Sequence, residues 1–351
     1  MRKLASIQRV WDVLPIEGAD RIELIKVEGW QCVANKGQFK KGELCVYFEI
    51  DSFLPVIPEF EFLRASSYKK TDIMGEGFKL KTMKFKGQIS QGLALPIRTF
   101  PEIEYCELGT DVTKILGVKK WEIEEKATTG GTTIGTLPYD VPHTDEIRIQ
   151  NFPEFADAFK GLEYYISTKM DGSSHSLSID KDGFHVCGHN YEYKDDGTCS
   201  FYELIKSRDY ENAMRHYIAA HDYDVSDLID TLTIQGEFCA PGIQKNPLKL
   251  TRPEWYVFTI RVNGKRVGLE KMKEMCEAMN MQMVPIEEVD VDLPSKYPTV
   301  EAMLERADGN YSTGGRKEGI VVRTVEPIYN EIIGGPLSMK VVSNKYLLKN
   351  E

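Results

Sequence analysis

Residues Tyr164–Ser176 read YYISTKMDGSSHS. The stretch opens on bulky strand formers and ends on small polar residues, with Lys169, Asp171 and Gly172 at the join. Such a pattern predicts a largely apolar strand that terminates on a lysine and enters a tight turn. Glycine at position 172 lets the chain pass close to a neighbouring group with no side chain in the way. A lysine so placed suits covalent nucleophilic chemistry, because its pKa of about 10.4 falls readily in a partly buried, cation-rich setting. Taken alone, the four residues Lys-x-Asp-Gly also describe an ordinary surface turn.

Outward from this stretch the chain divides by composition. The N-terminal third is β in character. Glu43 to Ile50 (ELCVYFEI) alternates, putting Leu44, Val46, Phe48 and Ile50 on one face of a half-buried strand. Phe78 to Leu95 (FKLKTMKFKGQISQGLAL) predicts two more strands broken around Gly87 and Gly92. Short strands, glycine turns and little helix point to an OB-like β-barrel over residues 1–125. Residues 126–144, rich in Thr, Gly and Pro, are expected to be a linker. Residues 145–351 mix helix-like spacing (201 to 220, 269 to 280) with strand-like runs at 231 to 238, 255 to 262, 318 to 323 and 337 to 342. The fold class is therefore α+β.

Composition narrows the function. The chain of 351 residues holds 42% apolar and 28% charged residues, with no run approaching the roughly 18 apolar residues of a membrane span. No membrane partner is expected, nor is a signal peptide. Seven scattered cysteines without a CxxC pair argue against disulfides and structural zinc, so a cytoplasmic or other reducing compartment is expected. The six histidines show no HxH or HExxH spacing. Net charge is −10, yet residues 61 to 90 hold seven basic side chains (Arg64, Lys69, Lys70, Lys79, Lys81, Lys84, Lys86) against three acidic ones. That local excess is either a nucleic-acid-binding face or a solvated strand face.

Downstream of Lys169 lie Glu237 in IQGEFCAPGIQKN, Phe258 in WYVFTIR, Glu318-Gly319 opening EGIVVR, and Lys340 in LSMKVVSNKYLLK. This ordered set resembles the covalent nucleotidyltransferase superfamily of DNA ligases, RNA ligases and mRNA capping enzymes. The segments HTDEIRIQN (143 to 151), GEFCAPGIQKN and LKTMKFKGQISQGLALPI narrow the resemblance to the Deinococcus-type ATP-dependent RNA ligases, in which an OB-like domain precedes the nucleotidyltransferase (adenylation) domain. The resemblance covers nearly the whole chain.

It implies an enzyme that seals 3′-OH to 5′-phosphate ends through a lysyl-AMP intermediate, with ATP and Mg²⁺ or Mn²⁺ as cofactors. The expected substrate is an RNA or RNA/DNA hybrid duplex carrying a nick, with RNA on the 3′-OH side, and the enzyme is expected to act as a monomer. By the same resemblance Lys169 is the nucleophile, Asp171, Glu237 and Glu318 hold the metal, and Lys340 grips the α-phosphate. Phe258 stacks on adenine or is simply a core aromatic. Arg148 contacts pyrophosphate or forms a structural salt bridge. Two positions depart from the pattern. His189, followed by Asn190, stands where an arginine is usual, and Val342 stands where a second lysine is common, leaving Arg316 or Lys317 as possible helpers. The competing readings are a capping guanylyltransferase, an ATP-dependent DNA ligase and a non-catalytic RNA-binding protein. The first two place their OB domain after the transferase domain.

Overall fold

The computed structural model describes residues 2–121, 131–221 and 228–350. The chain forms two compact units, one of residues 1–124, 148–154 and 344–351, the other of residues 125–147 and 155–343.

In the first unit the long strand Ala5–Pro15 organises an antiparallel sheet. Its first half pairs with Leu44–Phe48 and its second with Ile22–Val27, with a register shift between Val10 and Asp12. A bulge at that point bends the strand and lets one sheet curl. Trp30–Asn35 and Leu93–Pro96 complete the order at opposite ends. The Gln91 amide donates to the Gln31 carbonyl at 2.9 Å and the Val33 amide to Ser90 Oγ at 3.0 Å, drawing those ends together. The expected strand at 43–50 is present as Leu44–Phe48. It differs from expectation in being buried on both faces, since Cys45, Val46, Tyr47 and Phe48 are all enclosed. Inside lie Ile7, Val46, Phe48, Phe60, Phe78 and Phe100, with the Phe48 and Phe60 rings edge-on at 5.3 Å. Of the lysine-rich stretch, Lys84 and Lys86 lie in a short hairpin, Met83–Phe85 with Gln88–Ser90, while Lys79 ends the strand Gly75–Lys79.

Two sheets build the second unit. One runs in the order Thr133–Thr136, Tyr191–Tyr193, Gly183–Cys187, Ser173–Asp180, Leu232–Cys239, Glu254–Val262, Lys265–Arg266. The other contains Ser338–Val342, Gly319–Thr324, Glu163–Lys169 and Ile286–Val291 as successive neighbours. Of the expected linker, 126–130 lies outside the described residues, while Thr133–Thr136 is an edge strand of the first sheet. That sheet is two-sided. Leu177, Ile179, Ile234, Val257 and Ile260 share an apolar core with Phe201, Met214, Met272 and Met275 from the helices Ser200–Ser207, Tyr210–Ala220 and Leu269–Ala278. The cross-strand rows on its other face are polar: Ser174–Glu237, Ser176–Gln235–Thr259 and Ser178–Thr233–Arg261. The single helical stretch expected at 201 to 220 is two helices, broken where Asp209 takes a left-handed φ of 56°. His175 is a core histidine, packed on Phe201 and Phe238, and burial pushes its pKa down to about 4.

Candidate nucleotidyl-transfer site

Lys169 is the last residue of the strand Glu163–Lys169, which lies between Gly319–Thr324 and Ile286–Val291. Register puts Lys169 opposite Gly319, and Gly319 opposite Val342. One step along the same face, Ser167 lies opposite Val321, and Val321 opposite Lys340. Directly paired residues and their neighbours two positions on share a face, so Lys169 and Lys340 project from the same side of this sheet. Gly319 is required by space, because a Cβ there would stand 2.1 Å from the Val341 carbonyl oxygen.

The Lys169 ammonium donates to Glu318 Oε2 at 2.7 Å. Burial alone would lower its pKa, but Glu318, Glu237 and Asp171 outweigh it and hold the amine above the usual lysine value. The setting is therefore rich in carboxylates, which corrects the expected cation-rich environment and a readily lowered pKa. Glu237, near the end of Leu232–Cys239, accepts from the Gly172 amide at 3.1 Å. Burial, with Glu318 and Asp171 close by, pushes its pKa up to about 7. A Cβ on residue 172 would lie 2.4 Å from the Phe238 carbonyl oxygen and 2.7 Å from Cys239 Sγ, so only glycine fits.

Among the described residues no group of three or more His, Cys, Asp or Glu is arranged to hold a metal ion. The three expected metal ligands are instead drawn around the lysine ammonium. Their chemistry still suits a hard cation. Three carboxylates share one ammonium, and a buried carboxyl raised to about 7 is short of positive charge.

Phe258 occupies a bulge: Val257 pairs with Gly236 and Thr259 with Gln235, leaving Phe258 between them. It lines a cavity of about 210 Å³ together with Gln235, Thr259, Arg261 and Ser338. The Arg323 guanidinium lies 5.8 Å from the ring centroid and donates to the Phe258 carbonyl. Glu146 accepts from Arg323 at 2.7 Å and from Arg266 at 3.4 Å. Burial would raise Glu146, but the two arginines hold it down at about 2. Nothing in the sequence marks the Glu146–Arg323 pair, although Glu146 lies in HTDEIRIQN and Arg323 ends EGIVVR.

His189 Nε2 stands 3.9 Å from Asp145 Oδ2, and its ring centroid is 5.7 Å from that of His143. Asn190 follows it in a half-buried turn closed by the Gly188 amide on the Tyr191 carbonyl. Arg148 takes the salt-bridge alternative. It is buried, bonded to Asp51 at 3.0 Å, with its guanidinium 5.9 Å from the Trp30 ring. Arg316 and Lys317 are corrected as phosphate helpers: Arg316 bonds Asp308 at 2.9 Å, and Lys317 is buried against Glu287 at 2.8 Å. Tyr311, which nothing in the sequence marked, donates its hydroxyl to the Lys169 carbonyl at 2.9 Å.

Comparison with known proteins places the chain by its sequence and fold. An OB-fold domain profile matches residues 4–97, and an RNA ligase profile matches residues 162–342. The chain is similar to the Naegleria gruberi RNA ligase with PPi, at 31% identity over 99% of each chain and a TM-score of 0.86. Mutants of that ligase with AMP and Mn, and with ATP and Mn, match at 30% identity over 99% of each chain, with TM-scores of 0.88 and 0.87. No curated protein matches the chain. With the RNA ligase profile over more than half of the chain and a solved RNA ligase matched along nearly all of it, the chain belongs to the RNA ligase family.

Proposed function

We propose that the chain is an ATP-dependent RNA ligase of the Deinococcus type, sealing 3′-OH/5′-phosphate nicks in duplexes with RNA on the 3′-OH side. The observation that carries this reading is the Lys169 ammonium, 2.7 Å from Glu318 and flanked by Glu237 and Asp171. The OB barrel ahead of the transferase unit and the segment HTDEIRIQN support the subfamily.

In the first step Lys169 Nζ forms a bond to the α-phosphorus of ATP as the α–β phosphoanhydride bond breaks, and pyrophosphate leaves with the electron pair. The amine must first lose its proton, and the 2.7 Å contact with Glu318 is what holds that proton in place. Mg²⁺ or Mn²⁺ held by Asp171, Glu237 and Glu318 would neutralise phosphate charge and relieve the carboxylate field that keeps the lysine protonated. Lys340, on the same face, steadies the α-phosphate as its charge builds. Phe258, on the cavity wall, stacks on the base. An RNA 5′-phosphate then takes AMP from Lys169, breaking the N–P bond, and the 3′-OH finally attacks that 5′-phosphate and displaces AMP. The lysine-rich stretch of the barrel engages the nicked duplex. Seven free cysteines, six of them buried, fit a reducing compartment such as the cytoplasm.

Incubation with α-labelled ATP or GTP and a divalent metal, followed by a denaturing gel, tests the reading. Label from ATP alone supports it. Label from GTP would make the chain a capping enzyme, and no label a binding protein. Sealing assays on RNA, DNA and hybrid nicks then test the substrate.

A further inference from the structure

Two backbone positions just beyond the end of a strand pair are bridged by one side chain. The pairing of Glu163–Lys169 with Gly319–Thr324 ends on Lys169 opposite Gly319. Past that rung, the Tyr311 hydroxyl donates to the Lys169 carbonyl at 2.9 Å and accepts from the Glu318 amide at 3.3 Å. The residues so bridged are the two partners of the 2.7 Å ion pair.

The tyrosine is itself held from several sides. The residue is 7% exposed and shares a core cluster with Met170, Cys239, Leu248, Tyr256 and Val284. Its amide donates to the Gly315 carbonyl at 2.7 Å, and its carbonyl accepts from the Gly314 amide at 2.8 Å. A bridge between Asn310 and Arg316 closes this turn, and the Arg316–Asp308 pair at 2.9 Å pins it. A side chain fixed this tightly fixes what it touches.

We infer that Tyr311 is a positioning residue for the attack of Lys169, setting through its hydroxyl the backbone from which Lys169 and Glu318 reach each other. The inference rests on the lysyl-AMP reading above. Tyr311 touches neither nucleotide nor RNA in this scheme, and it acts only through the alignment of Lys169 with Glu318. Small misplacements of a nucleophile lower the rate steeply without weakening substrate binding. The joining of an RNA already carrying AMP on its 5′ end needs no attack by Lys169 and should be spared.

The test is Tyr311→Phe in the full chain, which removes the hydroxyl and keeps the ring in its core. We expect lysyl-AMP formation at saturating ATP to fall about tenfold or more. Half-saturating ATP and the joining of pre-adenylylated RNA should stay within about threefold of wild type. Unchanged lysyl-AMP formation would overturn the inference. So would a parallel fall in both reactions, or a variant that melts below the assay temperature, since either would mark a merely structural tyrosine. Wild-type protein that forms no lysyl-AMP would overturn the underlying reading itself, and that outcome is visible before any variant is made.

Discussion

The Glu237 carboxylate accepts a hydrogen bond from the backbone amide of Gly172 at 3.1 Å, tying the turn after Lys169 to a strand of the other sheet. The contact exists only because residue 172 has no side chain. A Cβ would meet the Phe238 carbonyl, a backbone atom that cannot swing away. Gly172→Ala should therefore cost about 1–3 kcal/mol of stability and, by moving the turn, lower lysyl-AMP formation more than tenfold, roughly. Thermal unfolding beside a single-turnover assay checks both. A variant with wild-type values in each would show that the turn has slack.

Lys169→Ala should abolish the covalent adduct while leaving the fold intact. Mass spectrometry after incubation with ATP should show a gain of about 329 Da in wild type and none in the variant. An adduct that persists in the variant would move the nucleophile elsewhere.

Glu318→Ala and Glu237→Ala should each slow lysyl-AMP formation by about two orders of magnitude or more, because a lost ligand charge weakens a site for phosphate and divalent cation. Excess ATP should not restore the rate. Chelation of the divalent metal should have the same effect on wild type. If either variant reacts within about threefold of wild type, that carboxylate is outside the reacting group of residues.

The barrel lysines should govern RNA affinity. Lys79, Lys81, Lys84 and Lys86 form no ion pair among the described residues, and Lys79 Nζ lies 5.2 Å from the Trp121 ring. Changing all four to alanine should weaken binding of a nicked duplex and flatten its salt dependence by about one unit of slope per lost phosphate contact. Titrations at several salt concentrations decide the matter. Equal affinities would leave these lysines as a solvated face.

Glu28 provides a pH test within the first unit. Burial, reinforced by Glu49 and Glu154, pushes its carboxyl up to about 7. A carboxyl raised on folding contributes stability that is full below its unfolded pKa of about 4.3 and is lost as pH climbs through 7. Glu28→Gln carries no such loss. It should match wild type near pH 4 and melt on the order of 2–4 °C higher at pH 8.5. A constant difference across that range would mean the residue does not titrate on folding.

How far the sequence discloses the site depends on what each residue needs from its neighbours. Lys169, Glu237 and Lys340 are legible because each lies in a strand with a clear apolar pattern, and Glu318 because it directly precedes one; the resemblance then gives them their roles. Strand boundaries at 232–239, 254–262, 319–324 and 338–342 follow the same logic. The linker reading of 126–144 rested on composition, which does not register that Thr133–Thr136 finds a partner in Tyr191–Tyr193. A boundary at 144/145 likewise misses the return of 148–154 to the first unit, where the Gly29 amide donates to the Gln150 carbonyl at 2.9 Å. Tyr311 lies in a turn without period, and its hydroxyl meets one backbone atom seven residues away and another 142 residues away. The lysine pKa failed for a related reason. Its direction is set by how many carboxylates arrive, and that is a property of the fold.

Lys169 and Glu318 are separated by 149 positions in the chain and meet at 2.7 Å. On the mechanism proposed above, covalent capture of AMP is a chemical readout of one long-range strand pairing. During refolding from denaturant the adduct should appear on the slow timescale of non-local β contacts, after local helices have formed. A chain still growing on a ribosome is silent by the same logic until Glu318 has emerged and found its strand.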